Sequence, residues 1–505
     1  MSYMGLDIGT SGCKAVVFTE EGHQFAEAHR GYPVLTPHPD WAEIDSAELM
    51  RACLEVIAEA GAAARAKGDL VEGLGVSSQG EAFTTLDRQG NHLTNAMVSS
   101  DARATELART WSEEFGRERL YSITGHTAHP MFSLFKMLWI RDNQPDVWDK
   151  ASSFFCCEEL LHRELGLEPA ISYPLAGRTM LFNVITHCWD EDILQAVGLD
   201  KSKLARPLPA GAIVGRLSAP VAEKLGFLPG AVVVAGGHDQ PCGALGGGAL
   251  ESGRAMYGMG TVECICPAFH KPVFSDALRD SNLCTYDFTA EGMYTTVAFS
   301  LTGGNLMRWY RKELADDAPY SVLRESMATE PTNLMVLPHF TPTGTPHFDP
   351  DPTSAILGLK LSTTRGELLR GLMEGVTYEM KLNATILAES GVELTEYVAT
   401  GGGAQNPPLM QLKADVLGRV ITTVAVTEAG CLGVAMLARC AVAGEPLADI
   451  AGRWVRPISQ VVPNPDFAEV YDERFQAYRK LYPAIKALAK DLRTMGAAPD
   501  PAGES

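Results

Sequence analysis

A glycine turn at the start of the chain has a counterpart half a chain later, and this pairing constrains the architecture more than any other feature. Gly5-Leu6-Asp7-Ile8-Gly9-Thr10-Ser11-Gly12 runs into Lys14-Ala15-Val16-Val17-Phe18, and Gly258-Met259-Gly260-Thr261 repeats its spacing. Each turn lies between β-prone runs, which reads as a hairpin whose bare tip can press backbone N–H groups against an anion. Asp7 adds a carboxylate beside the first tip. Such a group holds Mg²⁺ through water, because Mg²⁺ dehydrates reluctantly. One turn of this kind reads as an ordinary glycine hairpin. Two of them suggest duplicated phosphate cradles.

With 505 residues the chain exceeds a single core. We expect a first domain over 1–250, a second over 251–445, a helical extension over 446–494 and a disordered tail over 495–505. A net charge of -20 argues against nucleic-acid and anionic-membrane partners. A bound phosphate must therefore be held locally by glycine amides and helix N-termini. The 11 cysteines include no CxxC pair, which disfavours a disulfide framework or a zinc site and fits a reducing cytoplasm. Cys156-Cys157 and Cys264-x-Cys266 lie in apolar runs and read as core residues. No export signal is expected ahead of the first strand, and no apolar run approaches the ~20 residues of a membrane helix.

Asp45-Ser46 resembles an N-cap, followed by a helical stripe of Leu49, Cys53, Val56, Ile57 and Ala60, and Val71 to Ser77 returns to a strand. Its end, Gln79-Gly80-Glu81, is a polar junction of the kind where open α/β sheets collect ligands. Asp101 is either the N-cap of the next helix or a ligand group, and Arg103 is either a substrate ligand or the partner of a helix-face carboxylate. Ala231 to Ala235 reads as a buried strand, Gly236 to Pro241 as a turn, and Asp239 as a carboxylate kept ionised by a helix N-terminus. His238 either orients Asp239 or is a passive turn residue, the second being the plainer reading. Glycine turns at Thr302-Gly303-Gly304-Asn305 and Gly401-Gly402-Gly403-Ala404-Gln405-Asn406 lie between strands and helices, where a base or phosphate can approach the backbone. His339, His347, Asp349 and Asp351 are interrupted by prolines and read as a solvated loop rather than a metal site.

No P-loop and no protein-kinase motif set occurs. The paired hairpins resemble those of the sugar kinase, actin and heat-shock chaperone ATPase superfamily, and the motif order over residues 3–440 resembles the FGGY carbohydrate kinases. That resemblance implies two duplicated actin-like (ribonuclease H-like) α/β domains closing over ATP in a cleft. It implies that Asp7 approaches Mg²⁺, that Gly9, Thr10, Ser11, Lys14, Gly260 and Thr261 meet the phosphates, and that Asp239 is the catalytic base. Gly303, Gly304 and Asn305 become a further nucleotide turn, and Gly402, Gly403, Ala404 and Asn406 an adenosine motif. Phosphoryl transfer suits this set, because it needs positioning and charge neutralisation more than a strong base.

The acceptor side mixes patterns. Gln79-Gly80-Glu81 lies where glycerol kinases carry Gln-Arg-Glu and xylulokinases Gln-Met-His, and Ser99 replaces a tryptophan of the family. Losing the arginine and the tryptophan is expected to enlarge the site toward a longer, more hydroxylated substrate. Gln79, Gly80, Glu81, Ser99, Asp101, Asp239 and Gln240 are the expected substrate contacts. The resemblance thus implies an ATP-dependent kinase of a small sugar, a pentulose, with a glycerol- or erythritol-type polyol kinase as the alternative and a chaperone-like ATPase as the more distant one. The sequence leaves the oligomeric state open, and a homodimer is the assembly entertained. A dehydrogenase reading fails because Gly5 to Gly12 leads into a second strand, not a helix.

Overall fold

The computed structural model describes residues 1–496, so the disorder expected from 495 onward falls almost wholly outside them. β1 (Ser2–Ile8) and β2 (Gly12–Thr19) form the first hairpin, with Asp7 opposite Lys14. β3 (Gln24–Gly31) continues antiparallel on β2, and β4 (Val71–Ser78) lies parallel to β1 on its other side. Parallel pairing needs a crossover, and α1 (Ser46–Ala66) is part of it. Asp45 caps α1 by accepting from the N–H groups of Ala47 and Glu48, while Leu49, Cys53, Val56, Ile57 and Ala60 form its buried stripe. β5 (Ile213–Arg216) pairs antiparallel with β6 (Phe227–His238), which lies parallel to β4. β6 runs through Gly236-Gly237-His238, so the turn expected there shrinks to the step from His238 into α2 (Asp239–Gly246).

The second sheet contains β7 (Arg254–Met259), β8 (Glu263–Phe269), β9 (Ala298–Ser300), β10 (Glu396–Thr400), β11 (Val420–Val424) and β12 (Pro457–Val461). From β9 through β8, β7, β10 and β11 to β12 the pairings are antiparallel, antiparallel, parallel, parallel, antiparallel. The order from β3 to β5 in the first sheet is the same. The two units are therefore copies of one actin-like plan, each opening on a glycine-tipped hairpin. Helices α3 (Gly304–Leu314), α4 (Arg365–Glu389) and α5 (Pro407–Leu417) belong to the second unit.

α6 (Ala429–Ala443) joins the two units. Although it follows β7 to β11 of the second sheet in sequence, it lies on the first sheet. A Cβ on Gly5 of β1 would come within 1.9 Å of the Cys431 carbonyl oxygen, and one on Gly75 of β4 within 2.2 Å of that of Val434. α2 and α6 meet as closely, with a Cβ on Gly246 reaching 1.8 Å from the Ala429 carbonyl oxygen. Only hydrogen in place of a side chain permits such backbone contact. A core of Tyr3, Phe18, Val234, Leu245, Met256, Leu432 and Trp454 fills the space between the sheets. The 446–494 segment, expected to be helical, also supplies the sheet strand β12 before α7 (Ala468–Tyr478) and α8 (Leu481–Gly496). Among the described residues no helix is long and apolar enough to cross a membrane.

Candidate active site

The first hairpin tip is held from behind. Gly9 N–H donates to the Gly12 carbonyl at 2.9 Å, and Tyr32 Oη donates to the Gly9 carbonyl at 2.6 Å. Gln79, expected to touch substrate, instead braces this tip: its Nε2 donates to the Gly9 carbonyl at 3.1 Å and its Oε1 accepts from Thr10 Oγ1 at 3.2 Å, although the residue still lines the cavity. Asp7 Oδ1 accepts from Ser77 Oγ at 2.6 Å, and burial followed by the charge of Glu428 raises its pKa. Lys14, expected at a phosphate, is tied to Glu428 at 2.7 Å and Glu27 at 2.9 Å. The lysine opposite Asp7 thus bonds the start of α6, where Glu428 is the N-cap residue.

Asp239 is the first residue of α2. Its side chain is one-third exposed toward a cavity of about 210 Å³, yet Oδ1 is buried and has no hydrogen-bond partner. A helix N-terminus favours the ionised form by ~0.3–1 kcal/mol. That effect loses here: burial, then Asp7 and Glu81, push the Asp239 pKa up to about 7. The expectation of a fully ionised carboxylate is corrected by these neighbours, which the local sequence does not show. Beside it, His238 is buried, its Nδ1 shares a 2.8 Å hydrogen bond with Tyr286 Oη, and its Nε2 lies 3.2 Å from Asp239 Oδ1. Burial keeps its pKa well below the ordinary value, so it is a neutral imidazole held by Tyr286 and lying against Asp239 rather than a passive turn residue.

Gly80 does not widen the cavity as expected. A Cβ there would lie 3.0 Å from the His238 ring and 3.3 Å from Arg178 Nε, so those two side chains already occupy the released volume. Glu81, at φ +63°, is buried and paired with the Arg178 guanidinium, which the sequence reading did not single out. Arg178 also lies over the rings of Phe132 and Tyr286, at 4.9 and 5.6 Å. Ser99 and Gln240 line the cavity, and Gln240 Oε1 accepts from Cys264 Sγ at 2.8 Å. The far wall, with Phe299 and Phe348, comes from the second half of the chain.

Asp101 points elsewhere. It does not cap the helix Thr105–Phe115, whose N-cap residue is Ala104 without a side-chain bond. Its Oδ2 accepts from Ala42 N–H at 2.7 Å, and both oxygens accept from Arg103 Nε at 2.9 and 3.0 Å. Arg103 also bonds Glu43 and stacks on Trp41 at 3.7 Å, so its carboxylate partners lie off the helix face where one was expected. This buried group lies outside the cavity lining.

On the nucleotide side, Gly304 and Asn305 N–H groups donate to the carbonyls of Gly260 and Thr261, at 3.0 and 3.1 Å. A Cβ on Gly304 would reach 2.5 Å from the Gly260 carbonyl oxygen, so this glycine buttresses the second hairpin. Asn305 folds onto its own turn: its Oδ1 accepts from Gly303 N–H and its Nδ2 donates to Leu301. Gly401, at φ +84°, and Gly403 pack on Met259, whereas a Cβ on Gly402 would meet nothing within 4 Å. Gly402, Ala404 and Gln405 line a groove of about 560 Å³, closed by Ala425 to Thr427 and by Ile458 and Ser459 of β12. Asn406 Oδ1 caps α5 through Leu409 N–H, and the residue is absent from that lining. β12 was missed because its groove contact depends on sheet pairing, not on a local motif. All 11 cysteines are free, and Cys156, Cys157, Cys264 and Cys266 are buried as expected. His339, expected in a solvated loop, is buried.

Thr10 of the first hairpin tip, Asp239 and Val262 beside the second tip line one cavity, and the glycine turn at Gly402 lines a separate groove. The chain is 25% identical over 499 residues to the xylulose kinase of Bacillus subtilis, covering 98% of this chain and 99% of that one. It is 28% identical over 451 residues to glycerol kinase 1 of Lactiplantibacillus plantarum, covering 86% and 87%. The crystal structure of ligand-bound xylulose kinase from Lactobacillus acidophilus superimposes with a TM-score of 0.89 at 22% identity, over 96% of this chain and 98% of that one. Residues 2–246 match the N-terminal domain of the FGGY family of carbohydrate kinases and residues 255–442 its C-terminal domain, so the chain belongs to that family.

Proposed function

We propose that this protein is a cytoplasmic, ATP-dependent sugar kinase that phosphorylates a pentulose, with Asp239 as the base. The observation that carries this reading is the Asp239 carboxylate, which lines the cavity with one buried oxygen free of hydrogen bonds and has a pKa near 7. A general base works best when its pKa lies near the working pH. In this reading residues 1–250 supply the acceptor side and the base, and 251–445 the nucleotide side. The acceptor hydroxyl gives its proton to Asp239 as its oxygen bonds the γ-phosphorus, and the β,γ-bridging P–O bond breaks to leave ADP. Glu81, held by Arg178, together with Ser99 and Gln240 orients the remaining hydroxyls. The open backbone at Gly402 gives the nucleotide close access, and the tips at Gly9 to Ser11 and Gly260 to Thr261 flank its phosphates.

The donor set fits Mg²⁺. The charge of Asp7 helps raise the Asp239 pKa, and Glu428 raises that of Asp7, an anionic surplus that a divalent cation would offset. Asp7 and Asp239 would hold the ion, which supplies charge neutralisation at the phosphoryl oxygens when bound. The unpaired state of all 11 cysteines supports a reducing compartment.

The pentulose assignment is supported by the polar side chains of Glu81, Ser99, Asp239 and Gln240 in the cavity lining and by similarity to xylulose kinases along nearly the full chain. Similarity to glycerol kinases keeps a polyol acceptor as the second reading. ADP release should be measured with D-xylulose, other pentuloses, erythritol and glycerol. The highest kcat/KM on a pentulose is expected. A highest value on glycerol or erythritol overturns the pentulose assignment, and ADP release stimulated by no sugar or polyol overturns the kinase reading.

A further inference from the structure

The loop of residues 338–354 leaves a strand at Met335–Leu337 and crosses α4, bringing two histidines onto one carboxylate. One candidate ligand atom from each of His339, His347 and Glu379 lies within 4.8 Å of the others. His339 Nε2 lies 3.4 Å from Glu379 Oε2, and His347 Nε2 lies 3.8 Å from Glu379 Oε1. His339 is 5% exposed, and neither of its ring nitrogens has a hydrogen-bond partner; His347 Nε2 is likewise buried and unpartnered. Buried polar groups are normally satisfied, so two imidazole Nε2 atoms that face one carboxylate without a hydrogen bond require an explanation.

Two imidazoles and a carboxylate are a ligand set for Zn²⁺ and its neighbours in the transition series, whereas Mg²⁺ and Ca²⁺ prefer oxygen. Bonds of about 2.0–2.1 Å in a tetrahedral site separate ligand atoms by about 3.4 Å. The His339–Glu379 separation already has that value. His347 Nε2 lies 3.8 Å from the other oxygen of the same carboxylate, and the three ligand atoms, all within 4.8 Å of one another, draw together when the ion binds. Outer contacts fix the ligands as metal sites require. Tyr478 Oη donates to Glu379 Oε2, and His347 stacks on Tyr482 with centroids 3.7 Å apart and planes at 17°. His347 is 18% exposed, so the cluster lies close to the protein surface.

We propose that His339, His347 and Glu379 bind a divalent transition ion of the Zn²⁺ class, which pins the loop carrying Phe348 to α4. Phe348 follows His347, has φ +45°, and lines the acceptor cavity against Phe299 while its ring meets His129. The ion thereby fixes one wall of that cavity without touching the acceptor. Because Tyr478 and Tyr482 lie on α7 and α8, it also ties the C-terminal helices to α4.

The test uses the full chain, stripped with a chelator and dialysed against Zn²⁺ alone, without nucleotide. His347→Phe keeps the ring stack on Tyr482 but removes the ligand nitrogen, and Glu379→Gln keeps an acceptor for Tyr478. Metal analysis should find one more Zn²⁺ per chain in the wild type than in either variant. Added Zn²⁺ should raise Tm in the wild type alone, and Co²⁺ should give a tetrahedral visible band that both variants lose. The proposal is overturned if the wild type takes up no Zn²⁺, or if the wild type and both variants take up the same number of equivalents.

Discussion

Asp239→Asn tests the proposed chemistry at one atom. Asparagine preserves the shape of the first residue of α2 but cannot accept the acceptor proton, and general-base removal costs about 10²–10⁴-fold in rate. The pH profile makes the test sharper. With a pKa of about 7, the ionised fraction of Asp239 is about 0.09 at pH 6 and about 0.01 at pH 5. Because kcat/KM reports the free enzyme, it should fall to about one-tenth and one-hundredth of its alkaline plateau at those pH values. The stability effect has the opposite sense. The folded-state pKa is raised above the ordinary 3.8, so the folded chain retains a proton that the unfolded chain releases. That contribution is fully present below pH 3.8 and is lost as pH rises through about 7. Asp239→Asn should therefore unfold at a higher temperature than the wild type in mildly alkaline buffer, while losing turnover. Initial rates of sugar-dependent ADP release across this range, nucleotide binding by calorimetry and thermal melts separate the effects. Sugar phosphorylation within tenfold of the wild type, or a unit-slope acid limb that survives in the variant, would refute the role.

Two further perturbations test the scaffold. Arg103→Ala leaves the buried carboxylates of Asp101 and Glu43 without their shared cation, and breaking such a group costs about 3–5 kcal/mol. A urea midpoint close to that of the wild type would contradict the buried ion-pair assignment. Gly246→Ala drives a methyl into the Ala429 carbonyl oxygen, which belongs to backbone and cannot swing aside. Overpacking of this kind costs about 1–3 kcal/mol, read as a lower denaturation midpoint. An unchanged midpoint would show that α2 and α6 do not meet as closely as described.

Much of the core plan was legible because its signals are local. The hairpin at Asp7 to Lys14, the Asp45 cap of α1, and Asp239 at the step from β6 into α2 each depend on residues a few positions apart. Readings failed where a residue's partner lies far along the chain. Lys14 pairs with Glu428, Glu81 with Arg178, and Gly80 makes room for His238. Asn305 and Asn406 look like nucleotide contacts in isolation, yet each satisfies a backbone group of its own turn. The motif identifies the turn but not which polar atoms remain free.

By itself the sequence determined the duplicated α/β plan and the two glycine tips, because turn chemistry and strand alternation act over a few residues. Only the tertiary structure decided the electrostatics between those tips. It sets Asp239 beside Asp7 and Glu81 with its Oδ1 buried, and desolvation together with like charge outweighs the helix terminus. It also gathers His339, His347 and Glu379, spread over 41 positions, onto one point of a buried wall. Short-range periodicity carries no information about such meetings, since burial and charge proximity arise only when distant segments pack.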